Sequence, residues 1–551
     1  MQILKKAKPK RSKTRKRAVI LLVIVALAFL YYYLELPAVN IHASGFWGFL
    51  IFAAIVLIGL LCIVPAMRRF SEIDGNVGID WKSEKPAKVG VVIILGLIGA
   101  FILGSILSSP IVNAKRYQHM ITVKNGNFTK DIPEVDTNKI PLIDRDSSNL
   151  LGNRKMGSMA DMVSQFEVSD EYTQINYQNT PVRVSPLRYA NAIKWLTNQS
   201  SGIPAYIKIN MATQDTDLVK LDKPIRYSKS EHFNRKIERH LRFRYPTYIF
   251  DKINFEIDDK GTPWWVCPVK EYTIGLFGGQ TIGRVVLCNA QTGETKDMAV
   301  KDVPEWVDKV YSADMLTGFY NYYGTLKHGY FNSVLGQKDC LKTTDGYNYL
   351  ALNDDIWVYT GVTSVTGDQS IVGFVLMNQR TREIKFYSVS GAVENSAMSS
   401  AEGQVQNLGY KATFPLLLNS ANQPTYFLSL KDSSGLVKKY AMVNVQKYQI
   451  VAIGDTVPEC IQNYKLLMKK NGVISDSALQ GDNQTASGKI AKIAQIVQDG
   501  NSHAYVTLAG DSRLYDINLA DHVEFLRYQT GDTIKLTFTK GKSACTVVKI
   551  G

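Results

Sequence analysis

Three uninterrupted apolar runs head the chain and set its first fifth apart from everything after it. Residues 18–34, 46–67 and 89–112 contain no charged side chain, and each comes close to or exceeds the roughly 20 residues that a helix needs to cross hydrocarbon. Tyr31, Tyr32 and Tyr33 close the first run, where an aromatic belt would meet headgroups. A cleaved leader supplies one short apolar stretch, not three. The pattern therefore predicts three membrane-spanning helices over 18–112. Residues 113–150 turn polar, with Pro133, Pro141 and a cluster from Asp144 to Ser148, and read as a stem. In 151–230, Met156, Met159, Met162, Val163 and Phe166 recur at helical spacing, as do Tyr189, Ile193, Trp195 and Leu196. The methionine stripe reads as a packing face rather than a cofactor box. Strands are expected over 174–184 and 203–211, which makes 151–230 an α+β domain.

A repeat follows. Pro263-Trp264-Trp265-Val266 precedes a strand that turns at Val286-Leu287-Cys288-Asn289-Ala290-Gln291-Thr292-Gly293-Glu294. Asp355-Ile356-Trp357-Val358-Tyr359 precedes Val375-Leu376-Met377-Asn378-Gln379-Arg380-Thr381-Arg382-Glu383, and Pro424-Thr425-Tyr426-Phe427-Leu428 precedes Ala441-Met442-Val443-Asn444-Val445-Gln446-Lys447-Tyr448-Gln449. Each copy reads strand, loop, strand, a turn opened by Asn, and a return strand. Asn suits that place because its side chain bonds its own backbone and tolerates left-handed dihedrals. Helices are expected at 232–243 before the first copy and 399–408 before the third.

A helix, an acidic turn before an aromatic strand (Phe255-Glu256-Ile257-Asp258-Asp259-Lys260-Gly261) and a strand ending Asn-x-x-Thr-Gly-Glu resemble the PepSY-type domain of bacterial envelope proteins. The resemblance is closest over 231–300, extends to 396–456 and reaches 345–390 in part; the second and third copies lack the Thr-Gly pair. It implies PepSY-like units at 231–310, 311–395 (partial) and 396–470, non-catalytic modules that bind or restrain peptidases and other envelope partners. The whole chain also resembles a group of bacterial multi-pass membrane proteins.

Residues 471–486 are rich in Ser, Asp, Gln and Gly and read as a linker. Beyond them, 490–497, 503–508, 512–517, 533–538 and 544–550 alternate apolar and polar positions between turns at Asp499-Gly500, Gly510-Asp511, Gly531-Asp532 and Lys540-Gly541. Five short strands predict a small β-barrel over 487–551, of the OB or SH3-like kind. The expected fold is thus a three-helix membrane domain, an α+β region of repeated antiparallel units, and a terminal barrel.

Charge changes where this architecture is placed. The net charge of +15 suggests a nucleic-acid partner until it is located: residues 1–17 hold nine Lys/Arg and no acid, and removing nine from 64 leaves 55 basic against 49 acidic residues. The basicity belongs to a tail, and no nucleic-acid partner is expected. The connector between the first two runs has no basic residue, whereas Arg68, Arg69, Lys82, Lys85 and Lys88 fill the next. The positive-inside rule puts the tail in the cytoplasm and everything after the third helix outside. Six cysteines, without a CxxC, are no disulfide framework.

Chemistry is sparse. The seven histidines share no metal-ligand spacing, and neither a GxSxG elbow nor a P-loop is present, so no metal, cofactor or catalytic residue is assigned. Gly275, Gly278, Gly279 and Gly283 read as a hairpin rather than a phosphate cradle. Asp354 with Asp355 and Glu394 with Glu402 are the carboxylate groupings available to acid/base work, but the adjacent aspartates point opposite ways on a strand and suit a turn. The densest basic stretch outside the tail, Arg235, Lys236, Arg239, His240, Arg242 and Arg244, is the candidate interaction patch for an anionic wall polymer or lipid headgroups, against the plainer reading of a solvated helix face. The expected function is a membrane-anchored, non-enzymatic envelope protein with the bilayer and an envelope protein or wall polymer as partners. The alternatives are an envelope hydrolase of peptides or glycans and a structural subunit of a membrane assembly.

Overall fold

The computed structural model describes residues 11–70, 85–136, 139–365, 370–475, 484–498, 501–539 and 544–551, without the side chains of 11–21, 59–70, 85–88, 498, 501 and 539. The first ten residues of the basic tail, most of the second connector, the linker over 476–483 and the turns at 499–500 and 540–541 lie outside the described residues.

Helices cover Arg11–Glu35, Ser44–Phe70 and Lys85–Leu107. Among the described residues one stretch, Val89–Leu107, is long and apolar enough to cross a membrane; Leu22–Glu35 and Ser44–Ile58 are shorter apolar helices. The expectation of three spans is corrected to one on this test, because the described parts of the other two fall short in length. Almost none of the Val89–Leu107 window is covered by protein, whereas a core helix of a soluble protein would be covered.

Beyond these three helices the chain builds four units, not three. Each is a helix followed by a four-stranded antiparallel meander. The first has the helix Arg145–Gly157 and strands Thr173–Tyr177, Thr180–Tyr189, Ile203–Asn210 and Thr216–Ile225. The second has Ile237–Arg244 with Asn254–Ile257, Pro263–Ile274, Gly278–Asn289 and Thr295–Ala299. The third has Ala313–Thr325 with Asn348–Leu352, Asp355–Ser364, Gly373–Asn378 and Ile384–Tyr387. The fourth has Glu394–Gln404 with Leu416–Ser420, Gln423–Lys431, Val437–Asn444 and Val451–Gly454, and a further helix, Val457–Lys470.

One turn chemistry recurs in all four. Oδ1 of Asn210, Asn289, Asn378 and Asn444 accepts the backbone N–H groups two and three residues on. The residue after each Asn offers its carbonyl to the segment that leads into the unit's own helix: Leu142 to Met211, Tyr227 to Ala290, Tyr311 to Gln379 and Ala392 to Val445. The first two strands of three units are joined by two-residue turns with both φ positive, at Gln178-Asn179, Asn353-Asp354 and Ala421-Asn422, the hand that matches strand twist. The stretch 151–230, expected as a separate α+β domain, is thus largely the first copy of the repeat.

The units pack in sequence. Trp265, Val286 and Cys288 of the second join Val184 and Ile207 of the first; Val285 and Leu287 meet Val358 and Met377 of the third; Tyr359 and Phe374 of the third meet Leu428 and Met442 of the fourth. The fourth returns to the first unit through the Lys431–Asp144 ion pair and the Ser429 hydroxyl, which donates to the Leu142 carbonyl at 2.7 Å. The expected stem is laced into this array. Val123–Asn125 pairs in parallel with Ile384–Phe386, Glu134 bridges to Asn419, and Ile132, Ile140 and Ile143 are buried. Its polar composition hid these spaced isoleucines.

The terminal barrel is closed by five strands, Gln484–Gln498, Asn501–Leu508, Leu514–Asn518, Thr533–Thr539 and Cys545–Ile550. The long first strand shifts register at Ile490/Lys492 and pairs on both sides, which lets one sheet shut on itself. Val506, Tyr515, Ile517, Phe525, Leu536 and Phe538 fill it, while an exposed ion pair, Lys470–Asp521, touches the neighbouring unit. Residues 484–551 expressed alone are expected to give a dispersed amide spectrum and a cooperative melt. A collapsed, exchange-broadened spectrum would show that the barrel needs the units.

Candidate functional site: an acid cluster where three units meet

The strand Asn254–Ile257 puts Phe255 and Ile257 into the core and Glu256 on its other face, which is buried as well. A buried carboxylate needs donors. Glu256 accepts the backbone N–H groups of Asp308 at 2.9 Å and Lys309 at 3.1 Å, one on each oxygen. Asp308, also buried, accepts the Asn176 N–H at 2.7 Å, and its Oδ1 has no partner among the described residues. Oδ1 of Asn176 is likewise unmet, while its Nδ2 donates to Asp354 at 2.9 Å. Three units thus supply Asn176, Glu256 and Asp354, and the link between the second and third supplies Asp308 and Lys309.

Charge is crowded here. Burial pushes the Glu256 carboxyl up to about 7. Burial, and then the neighbouring Glu256, push Asp308 well above the carboxylate range. Asp354 is raised by partial burial and by Asp355, Glu305 and Asp259 around it. Burial, then Arg183, bring the Lys309 ammonium down to about 8, and it lies 4.7 Å from the Tyr349 ring centroid. Asp355 is balanced by Arg380, which holds it with two N–H groups at 2.6 and 3.0 Å. Trp264 and Trp306 stand 6.0 Å apart beside the acids, and the Trp264 indole donates to Asp258. Unmet acceptor oxygens, several carboxylates and two indoles suit a positively charged donor group.

The expected patch lies elsewhere and is largely spent on protein contacts. Arg239 donates to the Tyr33 and Phe233 carbonyls, with its guanidinium 4.0 Å from the Tyr33 ring centroid. Arg242 is buried and donates to Leu36 and Tyr248. Arg235 donates to the Gln199 carbonyl, and His240 bonds that of Gly293 at 2.8 Å. Only Arg244 is fully exposed, with Lys236 half-buried. The stretch is a joint that grips the end of the Arg11–Glu35 helix rather than an open basic face.

The other sequence candidates also resolve. Asn353 and Asp354 form the expected turn. Glu394 accepts the Gly361 N–H at 2.7 Å, whereas Glu402 accepts that of Ala412 and pairs with Lys411, so the two serve different neighbours. The glycine-rich stretch is a hairpin whose Leu276 and Phe277 N–H groups bond the Ser108 hydroxyl just past the Lys85–Leu107 helix. Glu256, Asp308, Lys309 and Asn176 were missed, although a lone charge between Phe255 and Ile257 in a buried strand was a usable signal. Cys267, Cys288, Cys340, Cys460 and Cys545 are free and buried. Among the described residues no group of His, Cys, Asp and Glu could hold a metal ion.

No protein-family model matches the chain, and no curated protein does. Among solved structures it is similar to a Synechocystis apocarotenoid oxygenase mutant at 8% identity and TM-score 0.16, over 53% of this chain and 62% of that one, less than two-thirds of the oxygenase's length. It is similar to a B. megaterium levansucrase mutant at 9% and 0.18, over 78% and 96% of the two chains. Polysaccharide lyase Uly1 follows at 11% and 0.15, over 70% and 81%. Scores of this size carry neither fold nor function to this chain.

Proposed function

We propose that the protein is a membrane-anchored, non-enzymatic envelope protein whose outer units bind or restrain a protein or wall partner, taking a basic group of that partner at the acid cluster. The observation that carries this reading is the exposed turn carboxyl of Asp354, with Asp355, Glu305 and Asp259 around it and the buried, unmet Asp308 Oδ1 and Asn176 Oδ1 behind it. The exposed Val89–Leu107 helix supports a membrane anchor, and the nine basic residues of 1–17 support a cytoplasmic N-terminus. Four helix-plus-meander units support the PepSY-type likeness. The barrel order first-second-third-fifth-fourth, with the third and fifth strands parallel, favours the OB kind.

Calorimetric titration of the detergent-solubilised full chain with a tetra-arginine peptide tests the reading. Binding is expected, weakened about tenfold or more by Asp308→Asn or by the exposed-turn variant Asp354→Asn, since a charge-assisted hydrogen bond contributes about 1.5–3 kcal/mol. A cation prefers the ionised carboxyls, both of which are raised, so affinity should increase with pH. Equal binding by wild type and both variants would remove the reading. The competing hydrolase reading rests on the Glu256 carboxyl near 7; turnover of a peptide or glycan that Glu256→Gln abolished without unfolding would put it in place of binding.

A further inference from the structure

Single exposed apolar residues are ordinary on a protein surface, but here they gather beside the ends of the membrane helices. The helix Ala192–Asn198 turns Trp195 inward to Glu231 at 2.9 Å and leaves Ile193 71% and Leu196 60% exposed. Against it lies the segment that opens the Ile237–Arg244 helix, with the Phe233 ring 5.8 Å from Trp195 and itself exposed. That helix carries exposed Phe243 to within 5.8 Å of Tyr32 and 6.2 Å of Tyr33, at the end of the first apolar helix.

A second group adjoins the exit of the Lys85–Leu107 helix. The helix Pro110–Gln118 follows it directly, and its Tyr117 packs 4.7 Å from Tyr322 in a cluster that includes Tyr330. Next in the chain, Phe331 is 70% and Leu335 80% exposed. Exposed cations border both groups: Arg244 beside Phe243, and Lys327 and Lys338 on either side of Phe331 and Leu335. Aromatic and aliphatic side chains edged by Lys and Arg, continuous with a spanning helix, are the make-up of a surface that lies in the headgroup region.

We propose that the outer region rests on the bilayer through these two apolar groups, so that Ile193, Leu196, Phe233, Phe243, Phe331 and Leu335 enter the interface of an anionic leaflet. The inference depends on the membrane-anchored reading, and its test keeps the two apart. Nitroxide labels are placed on Leu196→Cys and Leu335→Cys of the full chain, in a Cys62→Ser background, in nanodiscs of phosphatidylglycerol and phosphatidylcholine. Val497→Cys in the barrel, where Val497 is 75% exposed, is the water reference. The oxygen-to-nickel-chelate accessibility ratio at 196 and 335 is expected to be several-fold above that at 497. Ratios equal to the reference would overturn the seat, as would labels shielded from both reagents, which would mean protein cover. A chain that fails to incorporate into the discs would overturn the anchored reading itself.

Discussion

Trp265→Ala is expected to lower stability by about 3–5 kcal/mol, the range for removing a large aromatic from a core, with an added loss from an orphaned carbonyl. Trp265 is fully buried between the first and second units, in the cluster that holds Tyr206, Ile207 and Val286. Its indole donates to the Tyr227 carbonyl at 2.8 Å, and Phe255 meets its ring edge-on at 5.3 Å. Tyr227 belongs to the strap that binds Ala290, so the vacancy would loosen the link as well as the sheet interface. Thermal melting of wild type and variant measures the effect. An unchanged melting temperature with lost partner binding would make Trp265 a contact residue instead. Trp357, at the matched strand position, is slightly less buried and bonds Leu352 at 3.1 Å.

Glu256→Gln should remove a pH dependence and also one of the two backbone N–H contacts, since an amide nitrogen cannot accept. The folded carboxyl stands at about 7 against an ordinary 4.5, so the native state keeps its proton where the unfolded chain has lost it. A raised acid of this kind gives stability that is complete below pH 4.5 and is lost as pH rises through 7. A shift of that size corresponds to about 3 kcal/mol. Asp308, raised in the same direction, adds to the slope. Lys309 acts in a different window: its value of about 8, below the usual 10.5, makes stability rise with pH between those two values. Wild type is therefore expected to melt lower at pH 7.5 than at pH 5, and Glu256→Gln to show a clearly smaller difference. An identical difference in the two proteins would mean that Glu256 is ionised throughout.

Much of the plan was legible in residue order, and the failures have physical causes. Alternation and turn residues identified the barrel because its strands pair with near neighbours. The first unit escaped notice because its two central strands, Thr180–Tyr189 and Ile203–Asn210, are separated by the helix Ala192–Asn198 rather than by a short loop. Gln214 nevertheless adopts φ +67°, where the second unit has Gly293 at +75° and the third Arg382 at +64°; the backbone repeats while the residue does not. The helical pattern through Tyr189, Ile193, Trp195 and Leu196 located the helix Ala192–Asn198 but not its facing, since Tyr189 ends a strand and Ile193 and Leu196 face outward. The acid cluster draws on positions 176, 256, 308 and 354, which sheet packing alone brings together. The basic stretch was legible as charge but not as use, because Arg239 and Arg242 meet carbonyls 206 positions away.

The segment laced between the units has a consequence for how the protein is made. Tyr387 bonds Asp131 across 256 positions, and Ser429 and Lys431 reach Leu142 and Asp144 across 287. The first stretch after the Lys85–Leu107 helix is therefore among the last to find its place. At the 5–20 residues per second of synthesis, its partners emerge roughly a quarter of a minute to a minute later. Through that interval Ile132, Ile140 and the edge residues of Val123–Asn125 lack their native cover, which the third and fourth units supply.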